Sequence, residues 1–234
     1  MSETCSVCGS EVNNRYCSNC GQEINHKDVT LVSLIGDLIS NLFDLQRSAI
    51  AGVRMSFTQP RKLIHNYWNG NRRYYPSPGK MLFFALAIAA VHLAYVNRQV
   101  VGADISVDHV ESQVVFWIIL LPILSFCSLA SFVRSKMSYA KHLVSTIYLG
   151  SAFYIAITVV NDILILTVGD ILGATVLILF LQLVFVYNSI VMQADRGIGR
   201  IILGILLQNV MLVVVLAAIS LLVYALIPTA VVMD

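Results

Sequence analysis

Five apolar runs in the C-terminal two-thirds of the chain constrain its fold more than any other feature. They cover residues 81–97, 114–133, 143–167, 171–193 and 201–228. A helix of about 20 apolar residues crosses the hydrocarbon core of a bilayer, and the first run reaches that length only with its flanking residues. Charged residues make up only 12% of the chain, which is too few for a water-soluble domain. The sequence therefore predicts an all-α polytopic membrane protein with about five transmembrane helices in residues 81–234.

The basic residues are sorted by loop. Nine of the 15 Lys and Arg precede the first run, three lie between the second and third runs, and two lie between the fourth and fifth. The loops after the first and third runs hold one cation and four acids: Arg98, Asp104, Asp108, Glu111 and Asp170. Because cytoplasmic loops carry an excess of Lys and Arg, this pattern predicts a cytosolic N-terminus and an external C-terminus.

Two Cys-x-x-Cys-Gly motifs precede the apolar body, with cysteines at Cys5, Cys8, Cys17 and Cys20. Four thiolates in two such pairs can converge on one ion in the tetrahedral geometry of a structural zinc site. The glycine after each pair takes a positive φ at little cost. Residues 1–25 are therefore predicted to form a small zinc-ribbon-like knuckle module, with structural Zn²⁺ as its cofactor.

The alternative interpretation of these cysteines is a pair of disulfides or a redox-active dithiol. An oxidising compartment would favour it. A catalytic Cys-x-x-Cys usually appears once, beside a βαβ pattern, whereas here the motif appears twice without that pattern. With a cytosolic N-terminus, structural zinc is the preferred interpretation. Cys127 lies inside an apolar run and is interpreted as a small buried hydrophobic residue.

Residues 26–58 are predicted to contain an amphipathic helix that does not cross the membrane. Leucine and isoleucine recur at three- and four-residue steps from Leu31 to Leu45, with Asp37, Asp44 and Arg47 elsewhere around the helix. Two interpretations stay open. The helix lies in the inner membrane interface or docks a partner, or it packs against the spans of this chain.

Residues 59–80 form a basic and aromatic segment immediately before the first run. Trp and Tyr favour the headgroup level, and each cytosolic Lys or Arg favours anionic lipid by about 1 kcal/mol. An ordinary interfacial anchor is the simplest interpretation, although Gly70, Pro76 and Pro78 predict a defined turn that an anchor does not need. The bilayer and anionic lipid headgroups are the expected partners. Nucleic acid is not expected, because the segment lies against the membrane.

The order of these motifs resembles an uncharacterised bacterial membrane protein family, catalogued as domain of unknown function 3667. The resemblance covers about the first 80 residues in detail and is carried by the four cysteines and by a juxtamembrane motif: Pro60, Tyr67, Gly70, Arg72, Tyr75 and Pro78. It implies a multi-span protein of the bacterial cytoplasmic (inner) membrane with a cytosolic zinc-ribbon head. It implies no activity, since none is established for the family.

Ionisable residues at membrane depth are candidates for function by default. His92 in the first run and Asp162 in the third both lie about five residues before the predicted outer end of their spans, so they are expected at the same depth. We hypothesise that they pair or line an outward-facing pocket. The alternative is that both only reach the outer interface.

A second polar group is predicted to be structural. Asn188, Gln208 and Asn209 lie at similar depth near the inner ends of the fourth and fifth runs, where amides hydrogen-bond between helices. Gln182 lies nearer the middle of the bilayer and has no obvious partner in the sequence.

The sequence favours a non-enzymatic membrane protein whose cytosolic zinc module recognises a protein partner. No catalytic motif is found, and four cysteine ligands leave no open position on the metal. The alternative is an oligomeric channel, pore or transporter that uses the polar residues of the spans, with a second copy of the chain as partner. A lipid enzyme that uses His92 and Asp162 as acid and base is a weaker third hypothesis, because no nucleophile accompanies them.

Overall fold

The computed structural model describes residues 3–5, 8–12, 17, 19–20, 30–32, 48–71, 75–96, 112–167 and 175–226. This part of the chain is mostly helical, with a two-stranded sheet at its N-terminal end. The elements are β1 (Glu3–Thr4), β2 (Glu11–Val12), α1 (Ser48–Thr58), α2 (Pro60–Trp68), α3 (Pro78–Val96), α4 (Ser112–Ser131), α5 (Tyr139–Thr167), α6 (Thr175–Gln193) and α7 (Ile198–Leu226). Short 3₁₀ turns lie at Val133–Ser135 and Ala194–Arg196.

Four of the described helices are long and apolar enough to cross a membrane. Their apolar stretches are Pro78–Tyr95, Tyr139–Thr167, Thr175–Gln193 and Ile198–Leu222. The remaining predicted span, the second along the chain (114–133), corresponds to α4, whose apolar stretch Trp117–Ser131 is shorter. The structure thus agrees with the prediction of a polytopic helical membrane protein, while the count of five spans stays a prediction.

Helix α5 is the centre of the bundle, since it packs against α3, α4 and α6. Seventeen of its 29 residues are buried. Small residues permit close packing here: a Cβ on Gly150 would lie 3.4 Å from the Trp117 ring, which itself meets Tyr154 edge to face. Helix α7 packs on α4 and α6 and exposes much of its apolar surface, as expected of a helix that faces lipid.

Helices α1 and α2 fold back onto the bundle. The ring of Phe57 meets that of Phe153 edge to face at 5.0 Å between centroids. Gly52 lies so close to the next segment that a Cβ there would be 2.5 Å from Cγ of Pro76. For the described residues 48–58, packing against the spans of the chain is therefore the correct interpretation. Residues 33–47, which carry most of the predicted amphipathic pattern, lie outside the described residues.

The basic segments meet at one end of the bundle. Arg61 of α2 forms an ion pair with Asp195 in the turn between α6 and α7. Residues from both inter-helix turns, Arg134 and Arg196 among them, line one cavity. Helix α2 and the two inter-helix turns, which the charge pattern assigned to one side of the membrane, therefore lie at the same end of the bundle.

Candidate metal centre and intramembrane polar contacts

A short hairpin positions the N-terminal cysteines. Strands β1 and β2 pair antiparallel, with Glu3 opposite Val12 and Thr4 opposite Glu11. Beyond β1, the amide of Cys5 donates to the carbonyl of Ser10 at 2.8 Å, and the amide of Gly9 donates back to the carbonyl of Cys5 at 2.9 Å. Gly9 has φ +72°, which glycine tolerates without steric cost. The first knuckle turns at the glycine that the motif predicts, whereas Gly21 lies outside the described residues.

The four predicted ligands converge. The sulfur atoms of Cys5, Cys8, Cys17 and Cys20 all lie within 4.8 Å of one another. The distances are 3.5 Å for Cys5 to Cys20 and 3.5 Å for Cys8 to Cys17. Four sulfurs bound about 2.3 Å from a tetrahedral ion lie about 3.8 Å apart, so the cluster has the right size for a four-thiolate site. Disulfide sulfurs lie about 2.05 Å apart, so the cluster is one of separate thiols.

Burial divides the four cysteines into two pairs. Cys5 and Cys17 are buried and pack with Val12, and Cys8 and Cys20 are exposed. Each of the two 3.5 Å contacts joins a buried cysteine of one knuckle to an exposed cysteine of the other. A bound ion would therefore crosslink the two knuckles beneath a very small apolar core.

Neighbouring polar groups favour the thiolate form of Cys8. Its Sγ lies 3.3 Å from Oγ of Ser10, and Asn19 donates an amide hydrogen to that same oxygen at 3.0 Å. Hydrogen bonding to Ser10 lowers the pKa of Cys8 to about 6. Thiolate is the form that binds metal, so the donor set fits a divalent ion such as zinc.

The juxtamembrane motif forms a packed turn. Pro60 begins α2 and Pro78 begins α3, the helix position that proline favours. Gly70 has φ +87° just after α2, so the left-handed residue that ends this helix is a glycine. Tyr67 is fully buried, and Asn66 donates to the hydroxyl of Tyr75 at 2.7 Å.

A hydrogen bond joins the same turn to α5, the central helix of the bundle. The hydroxyl of Tyr148 in α5 donates to the carbonyl of Pro76. Residues 59–71 and 75–80 therefore contain the defined turn that Gly70, Pro76 and Pro78 predict, and the role of this segment as an interfacial anchor stays a prediction. Arg72 lies outside the described residues.

Two polar contacts join α2 to the α6–α7 turn. The guanidinium of Arg61 makes a bidentate contact with the carboxylate of Asp195, which lowers the pKa of Asp195 and raises that of Arg61. Nε2 of His65 donates to the carbonyl of Val191 at 3.2 Å. Burial lowers the pKa of His65, so the neutral imidazole is the form that packs here. The sequence analysis did not connect these residues.

The two ionisable residues of the spans are brought together. Nδ1 of His92 in α3 is in hydrogen-bond contact with Oδ1 of Asp162 in α5, as the pairing hypothesis requires. His92 is buried and the side chain of Asp162 is 36% exposed. The contact creates a polar site on the side of the bundle formed by α3 and α5, and the carboxylate of Asp162 is its accessible group.

Asn188 organises a buried network across four helices. It donates to Oγ of Ser128 at 2.7 Å and to Oε1 of Gln208 at 2.8 Å, and it accepts from Ser145 at 2.9 Å. Ser128 in turn lies 2.8 Å from Nδ1 of His142. The predicted contact between Asn188 and Gln208 is confirmed.

The sequence analysis missed part of this polar system. His142 was overlooked because the predicted third run began at residue 143, whereas α5 begins at Tyr139. Gln182 was expected to lack a partner, and that expectation was wrong. Its amide donates to Oδ1 of Asn209 at 2.7 Å, because α6 and α7 pack closely enough to align these side chains.

The chain was compared with protein-family models, curated proteins and solved structures. None of the three comparisons finds a match.

Proposed function

We propose that this chain is a non-enzymatic, multi-pass protein of the bacterial cytoplasmic membrane, related to the family named above. Its zinc module lies in the cytosol, recognises a protein partner and couples it to the membrane body. The observation that carries the proposal is the convergence of the four cysteine sulfurs within 4.8 Å of one another.

The donor set supports a structural rather than a catalytic metal. Four thiolates complete the coordination of zinc and leave no position for water or substrate. Zinc binding supplies on the order of 10 kcal/mol to folding, which a small module needs when the apolar core of its described residues consists of Cys5, Val12 and Cys17. The exposed side chains of Thr4, Glu11 and Asn19 surround the site and offer a surface for recognition.

Two observations support five spans with the N-terminus inside. Helix α4 has 20 residues, and at 1.5 Å per residue it reaches about 30 Å, the thickness of the hydrocarbon core. The basic turns meet at one end of the bundle, which agrees with the positive-inside rule. An odd number of spans from a cytosolic N-terminus puts the C-terminus outside.

Site-specific photocrosslinking in cells tests recognition by the module. A crosslinking residue at the exposed position Glu11 should capture a discrete protein, and the Cys5→Ser, Cys17→Ser variant should lose it. Cys127→Ser is the matched control, because it removes a buried thiol outside the cluster. A crosslinker at Tyr224, which is exposed on α7, controls for contacts of the membrane body.

The outcome decides the role of the module. Membrane insertion is verified for every variant. A partner captured from position 11 and lost with the cysteines supports recognition. Equal capture by the double variant, or no capture from position 11, would make the module a structural cap only.

The contact between His92 and Asp162 favours a second candidate, an oligomeric channel or transporter. Flux of protons or metal cations through liposomes that contain the purified protein tests it. Asp162→Asn should abolish flux, and Asp195→Asn, which removes a carboxylate from the α6–α7 turn, should not. Absence of flux from the intact protein, or equal flux from Asp162→Asn, rejects this alternative.

A further inference from the structure

A cavity of about 520 Å³ opens at the basic end of the bundle, between the end of α4, the Val133–Ser135 turn and the start of α7. Arg134, Arg196 and Arg200 line it together with Gln193. Three guanidinium groups around one cavity are the arrangement that binds phosphate, because each offers paired N–H donors to its oxygens.

The three arginines exceed the acidic charge that the described residues place beside the cavity. Among the described residues, Arg134, Arg196 and Arg200 form no ion pair. The nearest acid along the chain is Asp195. Its carboxylate is held by the bidentate contact with Arg61 and also interacts electrostatically with Arg196, so one carboxylate is shared among several cations. The cavity therefore keeps a net positive potential that an external anion can satisfy.

The start of α7 adds to this potential. The helix runs from Ile198 to Leu226, a length of 29 residues, and has no acidic residue in its first turn. The residue before it is Gly197, at φ +86°, which has no side chain to cap the first backbone N–H groups. A long helix carries partial positive charge at its N-terminus, where anions bind.

The cavity continues into an apolar stripe. Arg200, Leu203 and Leu207 follow one another at steps of three and four residues, so they share one side of α7, and Arg196 lies in the 3₁₀ turn just before this helix. Leu203 is 53% exposed and Leu207 is 38% exposed, and both line the cavity. Positive charge at the helix start followed by exposed leucine matches a lipid, with its headgroup at the membrane surface and its acyl chain below.

We propose that this cavity binds the phosphodiester headgroup of an anionic phospholipid, with an acyl chain along Leu203 and Leu207. Basic cavities between transmembrane helices bind anionic headgroups in this manner. A soluble phosphate shares the headgroup chemistry, but it would leave the leucine stripe uncovered. The inference stands independently of the zinc module and of its partner.

Equilibrium binding by native mass spectrometry tests the proposal on the intact purified protein. The probes are dioctanoyl phosphatidylglycerol, dioctanoyl phosphatidylcholine and inorganic phosphate. The double variant Arg134→Gln, Arg200→Gln should bind phosphatidylglycerol about 30-fold more weakly, because each arginine contributes on the order of fivefold. The matched control is the double variant Arg54→Gln, Lys62→Gln, which removes the same charge from exposed positions on α1 and α2. It should change the affinity for phosphatidylglycerol by less than about threefold.

Each other result overturns the proposal. Equal loss in both double variants would show diffuse attraction of lipid to a basic surface. Competition by millimolar inorganic phosphate would show a soluble-anion site. Equal affinity for phosphatidylcholine, or no binding by the intact protein, would remove the headgroup specificity. If the double variant is not stable, the single change Arg196→Gln, with an expected fivefold loss, replaces it.

Discussion

Replacement of Asn188 by alanine should destabilise the bundle by about 2 kcal/mol. Asn188 is 1% exposed and makes three inter-helix hydrogen bonds, to Ser128, Ser145 and Gln208. Such bonds contribute about 0.6 kcal/mol each in a membrane, which gives about 2 kcal/mol for the set. Ser128, Ser145 and Gln208 each lose a buried hydrogen-bond partner as well. The value of about 2 kcal/mol, which counts the hydrogen bonds alone, is therefore a lower limit for the loss of stability.

The assay is reversible unfolding of the purified protein by SDS in mixed micelles, followed by circular dichroism. Asn209→Ala is the matched control, because its main inter-helix contact is with Gln182 alone, and it should cost about 1 kcal/mol. A double-mutant cycle of Asn188→Ala with Gln208→Ala should give a coupling free energy of about 0.6 kcal/mol. A loss below about 0.5 kcal/mol for Asn188→Ala, or no coupling in the cycle, would refute the network as a source of stability.

Two further predictions concern the segments that fold back onto the bundle. Gly52→Ala should destabilise the protein by about 1–3 kcal/mol in the same SDS assay, because the new methyl group meets the Pro76 ring at 2.5 Å. Gly199→Ala, which meets nothing within 4 Å, should change stability by less than about 0.5 kcal/mol, and equal effects would contradict the packing. Arg61 lowers the pKa of Asp195 in the folded state, so this pair stabilises above the ordinary carboxyl pKa and its effect is lost as pH falls through the lowered value. Asp195→Asn should remove that part of the acid sensitivity of the melting temperature from about pH 5 down through the lowered pKa of Asp195, and an unchanged pH profile would contradict it.

The convergence of the four cysteines could be predicted from the sequence because the geometry is local. Two short motifs with eight residues between Cys8 and Cys17 have few ways to arrange their sulfurs around one point. The equal depth of His92 and Asp162 could also be inferred, since depth is a statement about position along each helix. Neither inference required knowledge of which helices are neighbours.

Contacts that depend on the arrangement of the helices could not be predicted. Arg61 and Asp195 are 134 residues apart, and only the docking of α2 against the α6–α7 turn brings them together. The partner of Gln182 was missed for the same reason. Arg196 and Arg200 were assigned to topology alone, although the spacing of Arg200 with Leu203 and Leu207 was visible and indicates one helix face.

The metal content of the intact detergent-purified protein tests the central claim most directly. Elemental analysis by mass spectrometry, with thiol titration on the same sample, should find one zinc per chain in the protein and in Cys127→Ser, and none in Cys5→Ser, Cys17→Ser. X-ray absorption should then show four sulfur ligands about 2.3 Å from the ion. Metal-free protein whose N-terminal cysteines are joined in disulfides would contradict the account.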